Sequence, residues 1–247
     1  MKEYILTLLA SYLDGHTKNE QFVLWTGTGG NGKSKCVELF QMAFGDYCGV
    51  LPVTVLTRKR GGSGQATPEL ADKRGKRFLV FQEPEGNDEI QVGFMKELTG
   101  GDWIYARPLF KDPIRYKPQF KLLLTCNKLP FIPSTDGGTW RRLRVSPWES
   151  EFTDNPKLPH QFPKDPNLLE KFELWKKALM SLLLKVYYPK YIKSGLQEPP
   201  KVTQFTNKYK KQSDLFYEFL DSNVVFTKDN KNCEAHETLF ASLRYWY

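Results

Sequence analysis

The chain has 247 residues, of which 40% are hydrophobic and 26% charged, so it must fold around a packed core and is not wholly disordered. Lysine and arginine outnumber aspartate and glutamate by 36 to 28, and the resulting net charge of +8 favours polyanionic partners while remaining compatible with an ordinary soluble enzyme. No apolar run approaches the roughly 20 residues that cross a bilayer, and the start, M-K-E-Y-I-L-T-L-L-A, runs into Ser11-Tyr12-Leu13-Asp14 without a secretory cleavage site. An intracellular, non-secreted protein with no membrane partner is therefore expected. Cys36, Cys48, Cys126 and Cys233 form no C-x-x-C pair and read as reduced thiols.

Ile5, Leu8, Leu9 and Tyr12 fall at helical spacing, which predicts a helix over 2–13. Phe22-Val23-Leu24-Trp25 is a short apolar run suited to a buried strand. A Gly-rich turn at 27–32 follows, then a helix from Lys33 to Phe44 closed by Gly45 and Asp46. Residues 50–56 read as extended, and 58–65 (R-K-R-G-G-S-G-Q) as a basic loop. Buried strands are predicted at 77–82 and 120–125, with a helix over 88–98 and a hairpin over 103–118 between them. This alternation of strand, turn and helix argues for an α/β layered sheet. Beyond Trp148 the prolines at 156, 159, 163 and 166, with Pro147 just upstream, mark an irregular linker. Helical patterns return at 168–187 and 203–221 and near Leu239, Phe240 and Leu243. The end at Y-W-Y, without a polar tail, reads as a truncated product.

The strongest chemical signal is T-G-T-G-G-N-G-K-S at 26–34, which satisfies G-x-x-x-x-G-K-[ST] from Gly27 to Ser34 between a strand and a helix. Gly27, Thr28, Gly29, Gly30, Asn31 and Gly32 would turn their backbone N–H groups onto phosphate oxygens. Lys33 would reach the outer phosphates of ATP, the Ser34 hydroxyl would ligate Mg²⁺, and Lys35 completes the binding segment. F-L-V-F-Q-E-P-E at 78–85 ends a strand in Glu83 and Glu85, and Glu83 is the better placed to hold the metal and polarise water. T-C-N-K-L-P puts Asn127 at the same sheet edge, where a carboxamide can orient water without titrating. Arg141 and Arg142, after Gly137-Gly138, suit bidentate phosphate contact, with a surface strand carrying Arg142 and Arg144 outward as the bland alternative.

These elements, in this order, resemble the superfamily 3 helicases, ring-forming AAA+-type motors of DNA viruses and plasmids. The likeness is greatest to the primase-helicases of poxviruses and other nucleocytoplasmic large DNA viruses, and covers about 5–190. It is carried by W-T-G-T-G-G-N-G-K-S-K (25–35), F-Q-E-P-E (81–85), M-K-E-L-T-G-G-D (95–102), A-R-P-L-F-K (106–111), P-Q-F-K-L-L-L-T-C-N-K-L-P (118–130) and D-G-G-T-W-R-R-L-R-V (136–145). The resemblance implies a P-loop, AAA+-like fold with a central parallel sheet. It assigns Lys33 and Ser34 to motif A, Glu83 to B and Asn127 to C, with Arg141, then Arg142, as an arginine finger acting on the next subunit of a hexamer. Two departures stand out. Many members carry two adjacent acids in B where this chain reads Gln82-Glu83, which keeps Glu85 in contention. The large viral relatives also carry a primase domain ahead of the motor, and none is read here.

The expected organisation is an N-terminal helix over 1–20, an ATPase core over 21–150, a proline-rich linker and helix over 151–198, and a winged-helix-like module or a supporting bundle over 199–247. The implied function is an ATP-dependent DNA helicase or translocase of viral replication, acting on single-stranded or forked DNA, with a primase or other replication proteins as partners. Arg107 and Lys111, interleaved with Trp103, Tyr105, Phe110 and Tyr116 around Asp112-Pro113, are the expected DNA contacts. The alternative is a nucleotide-binding DNA-binding or ring-assembly factor that does not unwind.

Overall fold

The computed structural model describes residues 1–59, 65–84, 88–225, 227 and 234–246. Helix α1 (Lys2–Ser11) leads to strand β1 (Phe22–Thr26), helix α2 (Lys33–Phe44) and strand β2 (Cys48–Leu51). Two short helical turns, α3 (Thr54–Thr57) and α4 (Pro68–Ala71), precede strand β3 (Phe78–Gln82), and helix α5 (Val92–Thr99) follows it. Strands β4 (Ile104–Ala106) and β5 (Ile114–Tyr116) form an antiparallel hairpin ahead of β6 (Lys121–Cys126). The turn α6 (Gly137–Trp140) then enters β7 (Leu143–Pro147).

Five strands make one sheet in the order β2-β3-β6-β1-β7, and each neighbouring pair is parallel. Parallel strands need helical crossovers that cover both faces, which explains their nearly unbroken apolar runs. The two-residue alternation of a strand sorts these residues between two cores. Phe22 and Leu24 share one face with Leu79, Phe81, Leu122, Leu124, Leu143 and Val145, packed under α5, the hairpin and Trp140. Val23 and Trp25 share the other with Phe78, Val80 and Leu123, packed under α1 and α2.

Beyond β7, strands β8 (Glu151–Thr153) and β9 (Gln161–Pro163) pair in parallel. Helix α7 (Leu168–Leu182) continues through a π-helical turn at Leu183–Tyr187 into α8 (Tyr188–Ser194). Helices α9 (Pro200–Gln212), α10 (Leu215–Asn223) and α11 (His236–Trp246) complete the described chain. Helix α9, which follows the expected boundary at 199, packs on β7: the Thr206 hydroxyl accepts from Val145 N at 3.0 Å, and buried Tyr209 meets Trp140 edge-on. Among the described residues, no helix is long and apolar enough to cross a membrane.

Four local expectations are corrected. The extended stretch at 50–56 stops at Leu51 because Pro52 offers no N–H to the ladder. Its carbonyl instead accepts from Val55 N at 3.0 Å, opening α3. The helix expected from 88 begins at Val92, because Ile90 N and Phe131 N bond across to Phe131 O and Asp88 O, each at 3.0 Å. The helix expected over 203–221 is two helices, since the Asp214 carboxylate accepts from Phe216 N and Tyr217 N and starts a new one. The proline-rich stretch is not wholly irregular, because it contains β8 and β9. Residues 60–64 of the basic loop, together with Glu85 and Cys233, lie outside the described residues.

Candidate active site

Sheet register creates the site. Thr26 of β1 stands level with Cys126 of β6, and Gln82 of β3 with Thr125. The residues that follow, Gly27, Asn127 and Glu83, therefore emerge together at the carboxyl edge of three adjacent parallel strands. Ligand clefts of open α/β sheets form at that edge. Here a cleft of about 700 Å³ is lined by Gly29 through Lys35, Glu83, Thr125 and Asn127 among others. That volume lies in the range of small-molecule sites.

The Gly-rich segment folds back on itself. Gly27 has φ +151°, and a Cβ there would run into the Trp148 carbonyl. Gly32, at φ +86°, is the N-cap of α2, and a Cβ would lie 3.1 Å from the Phe152 ring. Both positions need glycine for backbone conformation and close approach. Asn31 fixes the loop from within, since its Nδ2 donates to Trp148 O at 3.2 Å and its Oδ1 faces Lys33.

Lys33 is buried, with Nζ donating to Gly27 O at 2.7 Å, Asn31 Oδ1 at 3.1 Å and Asn127 Oδ1 at 3.5 Å. Burial lowers its pKa from the usual lysine value, opposed in part by the neighbouring Cys126 and Glu83. Asn127 bridges the set, with its Nδ2 donating to Glu83 Oε1 at 3.2 Å. Ser34, in the first turn of α2, and Lys35, paired with Glu38 at 2.8 Å, also line the cleft. Thr28 is exposed and lies outside that lining.

This arrangement can do two things chemically. A buried ammonium at the amino end of a helix attracts an anion. A serine hydroxyl and a glutamate carboxylate offer hard oxygen donors suited to a small divalent cation that keeps its other positions for water or ligand oxygens.

Arg141 and Arg142 are not in the cleft. They precede β7, whose first residue Leu143 pairs with Phe22 at the amino end of β1, so they occupy the opposite rim. A five-residue strand puts that rim about 17 Å away. Both guanidinium groups contact Glu20 Oε2, Arg141 at 2.6 Å and Arg142 at 2.9 Å. The outward placement of Arg142 is corrected here: its side chain is 10% exposed and donates to Gly138 O at 2.5 Å, whereas that of Arg141 is 60% exposed. Asp136 caps the α6 turn ahead of them, and bonds from Ser134, Thr139 and Lys96 hold its carboxyl well below the usual carboxylate range.

Arg107 and Lys111 lie on the connection between β4 and β5. Beside them, Phe110 is fully exposed with φ +57°. Arg115 lies 4.4 Å from the Trp103 ring centre, and both Trp103 and Tyr105 are exposed. The sequence reading missed Glu20, Trp148 and Phe152. Glu20 carried only the weak signal of an acid just ahead of a strand, and the two aromatics lay in or beside a proline-rich stretch without periodicity.

The profile of a family described as "Family of unknown function (DUF5906)" matches residues 25–142. A protein of Acanthamoeba polyphaga mimivirus named "Putative helicase" is 45% identical over 257 aligned residues, covering 100% of this chain and 27% of the relative. One of Frog virus 3, also named "Putative helicase", is 31% identical over 99% of the chain and 26% of its own length. A "Putative primase" of African swine fever virus is 24% identical over 99% of the chain and 26% of the relative. The chain thus spans about a quarter of the length of these relatives. An apo structure of the NrS-1 C-terminal region shares the fold, with a TM-score of 0.61 and 14% identity, over 98% of this chain and 57% of that one.

Proposed function

We propose that this homologue of proteins named as helicases and primases in nucleocytoplasmic large DNA viruses is the ATP-driven motor of a replication helicase. In this reading it is a P-loop, AAA+-like ATPase of superfamily 3 that works as a ring, a hexamer by resemblance, on single-stranded DNA. The observation that carries the reading is the convergence of Lys33, Ser34, Glu83 and Asn127 on one cleft at the strand ends.

Each residue then has a task. Lys33, held by three oxygens, neutralises the outer phosphates of ATP. Ser34 and Glu83 are the residues that would hold Mg²⁺, which when bound would supply Lewis-acid charge. Glu83 also orients and deprotonates the attacking water, and Asn127 positions Glu83 through their hydrogen bond. Arg141 reaches the cleft of the neighbouring protomer. Its mostly exposed side chain, on the rim away from its own protomer's cleft, suits that role. Such a finger is worth about 10³-fold or more in turnover.

The hairpin is the DNA contact. A fully exposed phenylalanine in left-handed backbone is unfavourable on both counts, and stacking on a base recovers the exposed area. Lys111, Arg107 and Arg115 supply phosphate contacts. ATPase measured with and without single-stranded DNA tests the reading, followed by strand displacement on a forked substrate. Stimulated hydrolysis with displacement is expected. Nucleotide binding without stimulated hydrolysis would favour a binding or ring-assembly factor.

A further inference from the structure

A second cleft, of about 780 Å³, shares Gly30, Asn31, Gly32 and Lys35 with the first. Its remaining walls are mostly apolar, built from Cys36 and Leu39 of α2, Trp148, Phe152, Leu168 and Phe172. The segment carrying Trp148 and Phe152 is stitched to the loop. Trp148 N donates to Thr26 O and Phe152 N to Gly30 O, both at 2.7 Å. The Phe152 ring lies over Gly32, is 40% exposed, and has Phe162 as an aromatic neighbour at 5.9 Å. Asp154 and Lys164, paired at 2.9 Å, add a charged rim.

We propose that this cleft is the nucleobase site of the nucleotide whose phosphates lie on the Gly30–Ser34 segment, and that Phe152 is its stacking residue. The inference rests on the nucleotide reading above and adds the means of telling a nucleoside triphosphate from a bare polyphosphate. Three features identify the occupant. The two clefts share a single loop, so one ligand can span them. The apolar floor and charged rim match a flat heterocycle joined to a hydroxylated sugar. An exposed aromatic face beside a glycine, whose missing side chain leaves it uncovered, gives the base a stacking surface.

The test compares Mg²⁺-ATP with Mg²⁺-tripolyphosphate as ligands of the 247-residue chain. Phe152→Ala should weaken ATP binding about ten-fold, as loss of one base–aromatic stack does, and change tripolyphosphate binding less than two-fold. Leu168→Trp, which fills the cleft from α7, an element outside the loop, should give the same pattern, and Phe152→Tyr should restore ATP affinity. Equal losses for both ligands would make Phe152 a support of the loop and overturn the inference. Unchanged ATP affinity in both Phe152→Ala and Leu168→Trp would overturn it too. If wild type binds tripolyphosphate as tightly as ATP, the base cleft fails while the phosphate site stands. If it binds neither, the nucleotide reading fails and takes this inference with it.

Discussion

Asn127 and Glu83 emerge from adjacent strands and are joined side chain to side chain, amide nitrogen to carboxylate oxygen, at 3.2 Å. The same carboxamide accepts from Lys33 at 3.5 Å, so cation, amide and carboxylate form one chain across the cleft. Glu83→Gln should reduce hydrolysis at least 100-fold, because it removes the base and weakens a metal ligand, while ATP stays bound through Lys33 and the Gly-rich segment. Asn127→Asp should place a second negative charge beside Glu83, raise the pKa of the pair and shift the acid limb of the ATPase pH profile upward. A profile identical to wild type in shape and height would remove Asn127 from the mechanism.

The two arginines should separate cleanly. Arg142 is enclosed and bonded to Gly138 O and Glu20, so Arg142→Ala should cost about 2 kcal/mol of stability, seen as a lower denaturation midpoint. Arg141 is mostly exposed, so Arg141→Ala should leave the midpoint and ATP affinity near wild type and abolish hydrolysis. Mixing Arg141→Ala with Lys33→Ala protein should restore some ATPase. No recovery in verified mixed rings would refute a site shared between protomers.

At the hairpin, Lys111→Ala should weaken single-strand binding and lower the salt dependence by about one counterion. Phe110→Ala should weaken it with no change in that slope, since stacking carries no charge. Fluorescence anisotropy across a salt series distinguishes the two outcomes. Equal slopes for wild type and Lys111→Ala would place the phosphate contact elsewhere.

Lys121 offers a test of stability alone. It opens β6, donates to the Asp14 carbonyl, and burial lowers its pKa from 10.5 to about 8. The folded state thus binds fewer protons than the unfolded one between these values, so this group's contribution to stability rises with pH through that window. Its penalty is complete below about pH 8 and absent above 10.5, a span of roughly 3 kcal/mol. Lys121→Met should therefore be the more stable protein at pH 7, with an advantage that shrinks as pH rises toward 10.5. Denaturant titrations at several pH values check this, and a constant difference would contradict it.

Sequence alone determined the local pieces. Apolar runs of strand length fixed β1, β3 and β6, because a strand covered on both faces has no polar side to show. Lys33–Phe44 was legible as a helix to the residue, since glycine brackets it at both ends. The residue types of the site were legible for the same reason, as Lys33, Glu83 and Asn127 each follow a strand or its turn. What only tertiary structure decided was which of these meet. Parallel pairing across crossovers of tens of residues brings Glu83 to Asn127, whereas the register of β7 sends Arg141 and Arg142 to the far rim beside Glu20. The second cleft was invisible for a related reason. Its walls come from α2, the segment after β7 and α7, and no periodicity in any one of them records a surface that exists only once all three are packed.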